Sequence, residues 1–450
     1  MGFYDDLRTD LLAGRWERGQ RLPSIRAMAA QRRVSLHTVV SAYGRLVGDG
    51  LLEAQQGRGY YVALQGPLSV PAALAAEPAL PGDPLFKLLQ TPPGLMVKLG
   101  CGWLPPSWRD TELLARAIRR TARLGQSGLV EYGDIQGYVP LRQLLSAHLR
   151  QTVRLDVAPG RMITTLGATQ ALDLVARHLL SPGDCVLVDE PCNGNLARLI
   201  RLCGGVPIGV PRREDGPDLV VLDEILSQHR VRAFFCNSTF HNPTGAGLSP
   251  RSAFGVLKRA VEHDFLIVED DVYGDFHPEG RQTFAELDGL ERVVYIGSFS
   301  KSLSASLRIG YLACPQALVE PLVRLKLLTS VAVPGFCERF VHTILADGTY
   351  LRHARAIQRR LATQQQLAQK ALRQRGWRFE VAPAGGMFLW VRHPALPDLT
   401  DFIARLEEKC ILLLPGSAFS VSADHRAATR INVAYFSPGL ARAFQVQEGS

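Results

Sequence analysis

Leucines 7, 11 and 12 recur at helical spacing near the N-terminus before Gly14 and Gly19 break the pattern, which predicts a short helix. A second helix is predicted in LPSIRAMAAQRRV, capped by Ser24 after Pro23, with Ile25, Met28 and Ala29 facing one side. A third is predicted in SLHTVVSAYGRLVGDG. Ser35 caps it, Val39, Tyr43, Leu46 and Val47 form its apolar stripe, and Gly48 to Gly50 end it. LLEAQQGRGYYV then gives two extended runs around Gly57 and Gly59, the pattern of a hairpin.

The character changes at residue 65. GPLSVPAALAAEPALPGDPL is rich in proline, alanine and glycine with little periodicity, so residues 65–94 read as a semi-extended linker. From residue 95 to 450, apolar runs alternate with amphipathic helical segments. Candidate strands are Cys185–Val188, Phe234–Cys236, Phe265–Val268 and Val293–Ile296. Short apolar strands alternating with helices predict an α/β fold built on a largely parallel sheet. No internal repeat is visible.

A chain of 450 residues predicts two or three domains, and 46% hydrophobic content with a mean hydropathy of +0.03 allows a large core. The net charge of +9 and pI of about 9.3 suit a polyanionic partner. The eight cysteines form no Cys-x-x-Cys pair, so neither a metal site nor a dithiol is suggested; they read as reduced thiols of a cytoplasmic protein. The N-terminus has early acids and no signal-peptide core, and no run of about 18 apolar residues predicts a membrane span.

Residues 1–64 together give helix, short turn, helix and glycine-tipped hairpin, a winged helix-turn-helix pattern. The second helix of such a unit enters the major groove of duplex DNA, so its N-terminal residues must reach base edges. Ser35, His37 and Thr38 occupy that end. Arg26 is positioned for phosphate, and Arg58, between Gly57 and Gly59, for backbone or minor groove at the wing tip. Nine arginines against six acids give this region a net charge of about +3. The string GQRLPSIRAMAAQRRVSLHTVVSAYGRLVGDGLLEAQQGRGYYV resembles the GntR-type winged helix-turn-helix, with Leu22-Pro23-Ser24, Arg26, Thr38-Val39, Ala42-Tyr43, Leu46, Gly50 and Gly57-x-Gly59 in that family's places. Leu36 departs from it, standing where the family often carries arginine.

The large region carries the residue types that pyridoxal phosphate chemistry needs: a lysine for the Schiff base, an acid for the pyridine nitrogen and donors for the phosphate. Ser298-Phe299-Ser300-Lys301-Ser302 follows a predicted strand, with Arg308 seven residues beyond the lysine. In FLIVEDDVY, Asp270 stands just after the apolar run, where a parallel strand delivers it to the ligand edge of the sheet, and Tyr273 lies three residues on. Asn242-Pro243-Thr244-Gly245 follows another strand, and Gly167-Ala168-Thr169 opens a helix whose free amides can cradle phosphate. Singly these are ordinary turns and caps. Their order and spacing resemble the fold-type I aminotransferases from about residue 95 to 440, a fold with large and small subdomains.

The joint architecture resembles the MocR subfamily of regulators. That resemblance implies that Lys301 carries the cofactor, Asp270 pairs with its ring nitrogen, and Asn242 and Tyr273 contact its phenolic oxygen. It further implies that Ala168, Thr169, Ser298 and Arg308 hold the phosphate and that Arg430, in TRINVAYF, grips a ligand carboxylate. Tyr132, in EYGDIQGYVPLR, resembles a tyrosine that reaches the phosphate of a partner subunit, which implies a homodimer. One position departs: Asn193, after Pro191-Cys192, stands where relatives carry a ring-stacking aromatic, and no other aromatic follows before Phe234. The expectation is a regulator that binds DNA and senses an amino compound or the cofactor itself; the alternative is an active aminotransferase carrying a DNA-binding module.

Overall fold

The parallel core of the sheet follows from where its apolar residues point. In the computed structural model, which describes residues 3–55, 57–63, 83–92, 94–123, 130–277 and 281–446, the chain forms two compact units, Met1–Pro81 and Gly82–Ser450. The second unit contains β3 (Met162–Thr165), β4 (Cys185–Glu190), β5 (Val206–Arg213), β6 (Gly216–Pro217), β7 (Val231–Cys236), β8 (Leu266–Asp270), β9 (Val293–Ser298) and β10 (Gly310–Ala313). They pair in the order β3-β10-β9-β8-β7-β4-β5-β6. The five strands β9, β8, β7, β4 and β5 run parallel, while β10 is antiparallel to both β3 and β9.

Successive residues of each strand enter different cores. Leu187, Phe234, Ile267, Val293 and Tyr295 pack into one, and Val186, Val188, Phe235, Val268 and Ile296 into the other. Burial on both faces is why these strands read as unbroken apolar runs instead of alternating ones. Parallel neighbours need crossovers, and the helices Gly194–Leu202, Leu219–Gln228 and Pro250–Glu262 supply three of them.

A smaller layer is built on the 25-residue helix Thr349–Arg373 and the antiparallel pair β11 (Phe388–Arg392) and β12 (Ala428–Asn432). Its own core holds Trp377, Phe402, Phe436 and Phe444. In the stretch read as linker, residues 65–82 and 93 lie outside the described residues. Pro84–Gln90 differs from that reading. It is a helix with proline in its first turn and Asp83 as N-cap, and Leu88 is buried in the second unit.

In the first unit, α1 (Phe3–Leu12), α2 (Ile25–Arg32) and α3 (Leu36–Gly48) precede the hairpin β1 (Leu52–Gln55) and β2 (Gly59–Val62). Ser24 accepts from the Ala27 amide and Ser35 from the Thr38 amide, so both expected caps form. Leu7, Leu11, Leu22, Met28, Val39, Tyr43 and Leu46 make the core, while Leu12, grouped with Leu7 and Leu11 by spacing, is exposed. The buried Tyr43 hydroxyl donates to the Pro23 carbonyl at 2.9 Å, and its ring meets Tyr60 edge-on, which ties α3 to α2 and to the hairpin. Gly57 adopts φ +74°, a left-handed turn that a side chain would strain, and leaves Arg58 exposed at the tip.

Candidate cofactor site and nucleic-acid interface

Five strand ends converge on one cavity of about 520 Å³. β8 ends in Asp270, and β9 runs into Ser298, Ser300 and Lys301. β7 leads to Asn237 and Asn242, and β4 to Asp189 and Asn193. β3 feeds the helix Gly167–Leu179, which presents Ala168 and Thr169. Loops at the carboxyl ends of parallel strands can carry irregular backbone and polar side chains that a packed strand cannot. β12 adds Arg430 from the smaller layer. Ala168, Thr169, Asn242, Asp270, Tyr273, Ser298, Lys301, Arg308 and Arg430, scattered over 263 positions of chain, therefore line one space.

Burial sets the charges there. Desolvation, helped by the nearby Arg430 guanidinium, lowers the Lys301 ammonium to about 8, and its Nζ donates to the Gly102 carbonyl at 2.9 Å. Burial raises the Asp270 carboxyl to about 7 against the Val272 amide, which donates to it, and the Lys301 charge. It also pushes the Tyr273 phenol up. Arg430, lowered to about 10 by desolvation, lies between the rings of Phe388 at 4.7 Å and Phe419 at 4.5 Å. It donates to Asn242 Oδ1 and to the Gly100 carbonyl, and its Nε is buried with no partner among the described residues.

Arg308 donates to the Leu166 carbonyl at the mouth of the helix that starts at Gly167. Gly167 has φ +77°, and a Cβ there would stand 2.9 Å from the Arg308 guanidinium, so the approach requires glycine. The Ser298 hydroxyl donates to the Ile309 carbonyl and accepts from the Ser300 amide, whereas the Ser300 hydroxyl is buried with no partner among the described residues. In the cavity wall, Asp189 meets Arg212 at 3.1 Å, His241 at 3.4 Å and the Asn237 amide at 2.9 Å. Burial alone would raise Asp189; Arg212 and His241 outweigh it and hold the carboxyl at about 2.

Tyr132, expected to serve a partner subunit, is 88% exposed and does not line this chain's own cavity. Phe234, the first aromatic after Asn193, packs into the core on the far face, while its neighbour Phe235 lines the cavity. Adjacent residues of a strand point to opposite faces, so a shift of one position decides which ring is available. Asn193 caps the helix Gly194–Leu202, accepting from the Asn195 amide. From the hydroxyl run around Lys301, sequence reasoning singled out Ser298 and gave Ser300 no role of its own. It could not have found Leu85 and Leu89, on the helix Pro84–Gln90, or Gly102 and Trp103, in the chain that follows, which line the same space from far away in sequence.

In the first unit, the Ser35 and Thr38 hydroxyls bond each other at 2.7 Å within the cap of α3. Arg26, His37 and Arg58 are exposed.

The fold and site define the class: the chain belongs to the aminotransferase class I and II family, matched over residues 96–444, and opens with a module of the gntR family of bacterial regulatory proteins, matched over residues 2–62. Together these make it a GntR-type regulator fused to an aminotransferase-like domain, the MocR type of architecture. An uncharacterised HTH-type transcriptional regulator of Bacillus subtilis, YisV, is 27% identical, covering 96% of this chain and 91% of that protein. The probable rhizopine catabolism regulatory protein MocR of Rhizobium meliloti is 28% identical, covering 81% and 75%. Among solved structures, the α-aminoadipate aminotransferase LysN of Thermus thermophilus, complexed with N-(5′-phosphopyridoxyl)-L-leucine, superposes with a TM-score of 0.72 at 28% identity, covering 81% of this chain and 95% of that one. No helix of the described residues is long and apolar enough to cross a membrane.

Proposed function

We propose that this chain is a cytoplasmic, homodimeric transcription regulator that binds duplex DNA through residues 1–64 and pyridoxal 5′-phosphate through its aminotransferase-like domain, and that a small amino compound with a carboxylate is its effector. The observation that carries the reading is the presence on one polypeptide of a GntR-type module and a cavity in which Ser300 Oγ and Arg430 Nε are buried with no partner among the described residues.

The residues fit the cofactor. Ser300 Oγ and Arg430 Nε are orphaned donors, and the close approach of Gly167 to Arg308 frames a cradle for a phosphate. Lys301, with its amine lowered to about 8, keeps a reactive neutral fraction near neutral pH. Asp270, raised to about 7 by burial, would share a proton with the ring nitrogen. Ala168, Thr169, Ser298, Ser300 and Arg308 would hold the phosphate, Asn242 and Tyr273 the phenolic oxygen, and Arg430 the effector's carboxylate. Bound there, the cofactor supplies an electron-withdrawing ring and an aldehyde for the effector's amine. Val130, Tyr132 and Leu328 are each more than 80% exposed, apolar residues available to a second copy, and Tyr132 would reach the partner's phosphate.

A second reading, an active aminotransferase, is favoured by Lys301, Asp270, Tyr273 and Arg430 all lining one cavity. Borohydride reduction of the yellow protein followed by peptide mapping tests the cofactor: the adduct is expected on Lys301, and a Lys301→Ala protein that is equally yellow and reducible would refute the assignment. An amino acid plus a keto acid separates the two readings. Sustained turnover favours the enzyme; a spectral change without turnover, accompanied by altered DNA affinity, favours the sensor.

A further inference from the structure

We propose that the exposed face of α3 reads thymine C5-methyl groups through the apolar pair Leu36 and Val40. The inference rests on the DNA-binding reading above and adds the chemical feature of the base that is recognised. α3 buries Val39, Ala42, Tyr43 and Leu46 on one side. Its other side presents Leu36, His37, Val40, Ser41 and Gly44, all exposed. Leu36 is 51% and Val40 46% exposed, and at spacing i, i+4 their side chains are neighbours on the helix surface.

No Lys, Arg, Asp or Glu stands among those five residues. The nearest arginine on the helix, Arg45, is committed elsewhere, stacked 3.6 Å over the Tyr4 ring. The Ser35 and Thr38 hydroxyls at the tip of the helix are turned to each other in the cap. That leaves His37 and Ser41 to hydrogen-bond base edges, beside a two-residue apolar strip that can satisfy none of them. Of the four base pairs' major-groove edges, only those with thymine offer an apolar group, its C5-methyl. The occupant is DNA and not an apolar protein surface because the same small unit also exposes arginines suited to phosphate: Arg26 and Arg33 on and after α2, and Arg58 on the wing.

The test uses the full-length protein and a duplex selected by it from a random pool, with each thymine replaced in turn by deoxyuridine, which lacks only the methyl. At one or two positions of each half-site, uracil is expected to weaken binding about fourfold, the factor carried by about 0.8 kcal/mol per buried methyl-sized group at 1.4 kcal/mol per tenfold. Leu36→Ala or Val40→Ala should weaken binding to the parent duplex and abolish the uracil effect at one of those positions. The nucleotide replacement leaves the protein untouched, so a folding defect cannot mimic it. Equal affinity for every uracil duplex, or undiminished uracil sensitivity in both variants, overturns the proposal while leaving DNA binding standing. Failure to enrich any sequence removes the DNA-binding reading and this inference with it.

Discussion

The two units put their functional groups in opposite environments. In the cavity of the larger unit, Lys301, Asp270 and Arg430 are stripped of water and shifted to about 8, 7 and 10, and donors such as Ser300 Oγ are left unmatched. On α3 and the wing, the candidate contacts stand in solvent, and the buried residues of the unit serve only to hold the helix in shape. The comparison teaches where each kind of site stores its specificity. A buried site stores it as desolvation and unsatisfied bonding, so the empty protein carries a cost that the right ligand removes. An exposed reading head carries little such cost, and its selectivity lies in the shape and polarity of the side chains it brings to a groove.

Three measurements would break or sharpen that contrast. The largest effect is expected from Leu46→Ala, a cavity in the small core of the DNA-binding unit. It should cost about 2–5 kcal/mol, read by calorimetry of the full chain as a lowered transition for that unit alone. A single transition shifting as a whole would mean that the units do not fold separately.

Next comes Asp270→Asn in the cofactor-free protein. The carboxyl is raised in the fold from its ordinary value near 3.8 to about 7, so the folded state holds the proton more tightly than the unfolded one. Its contribution to stability is full below about pH 4 and is lost as pH rises through about 7. The amide cannot ionise. The variant should therefore gain about 1–3 kcal/mol over the parent above neutral pH, and little below pH 4, while holding pyridoxal phosphate less tightly. Urea titrations across pH measure the first effect and absorbance titration the second. Equal stability at every pH would show that Asp270 is not desolvated.

The smallest effect is expected from Arg26→Ala. Binding should weaken by roughly fivefold for every DNA sequence, with the slope of affinity against salt reduced by about 1, as loss of one phosphate contact requires. A sequence-selective loss would move Arg26 from the backbone to the bases.

Much of both units was legible before folding. The caps at Ser24 and Ser35 are local, since a hydroxyl reaches an amide three residues away. The four candidate strands were found because β4, β7, β8 and β9 are buried on both faces and so read as continuous apolar runs. Other features were not legible. Leu12 shares helical spacing with Leu7 and Leu11 but sits on the outer side of α1. Pro84–Gln90 was hidden by its prolines and short length. Ser298 was favoured over Ser300, but in the structure Ser298 is spent on the Ile309 carbonyl and Ser300 is the hydroxyl left free.

The sequence by itself determined the division into a helical DNA-binding unit and an α/β unit, and the residue types that the cavity chemistry demands. Both follow from local rules: periodicity selects helix or strand, and a reacting amine or a phosphate admits few side chains. Only the tertiary structure decided which of those residues share a space, which ring faces the cavity between Phe234 and Phe235, and which polar atoms keep a bond to offer. Those outcomes depend on contacts between segments hundreds of residues apart and on the exclusion of water. No short stretch of chain encodes either one.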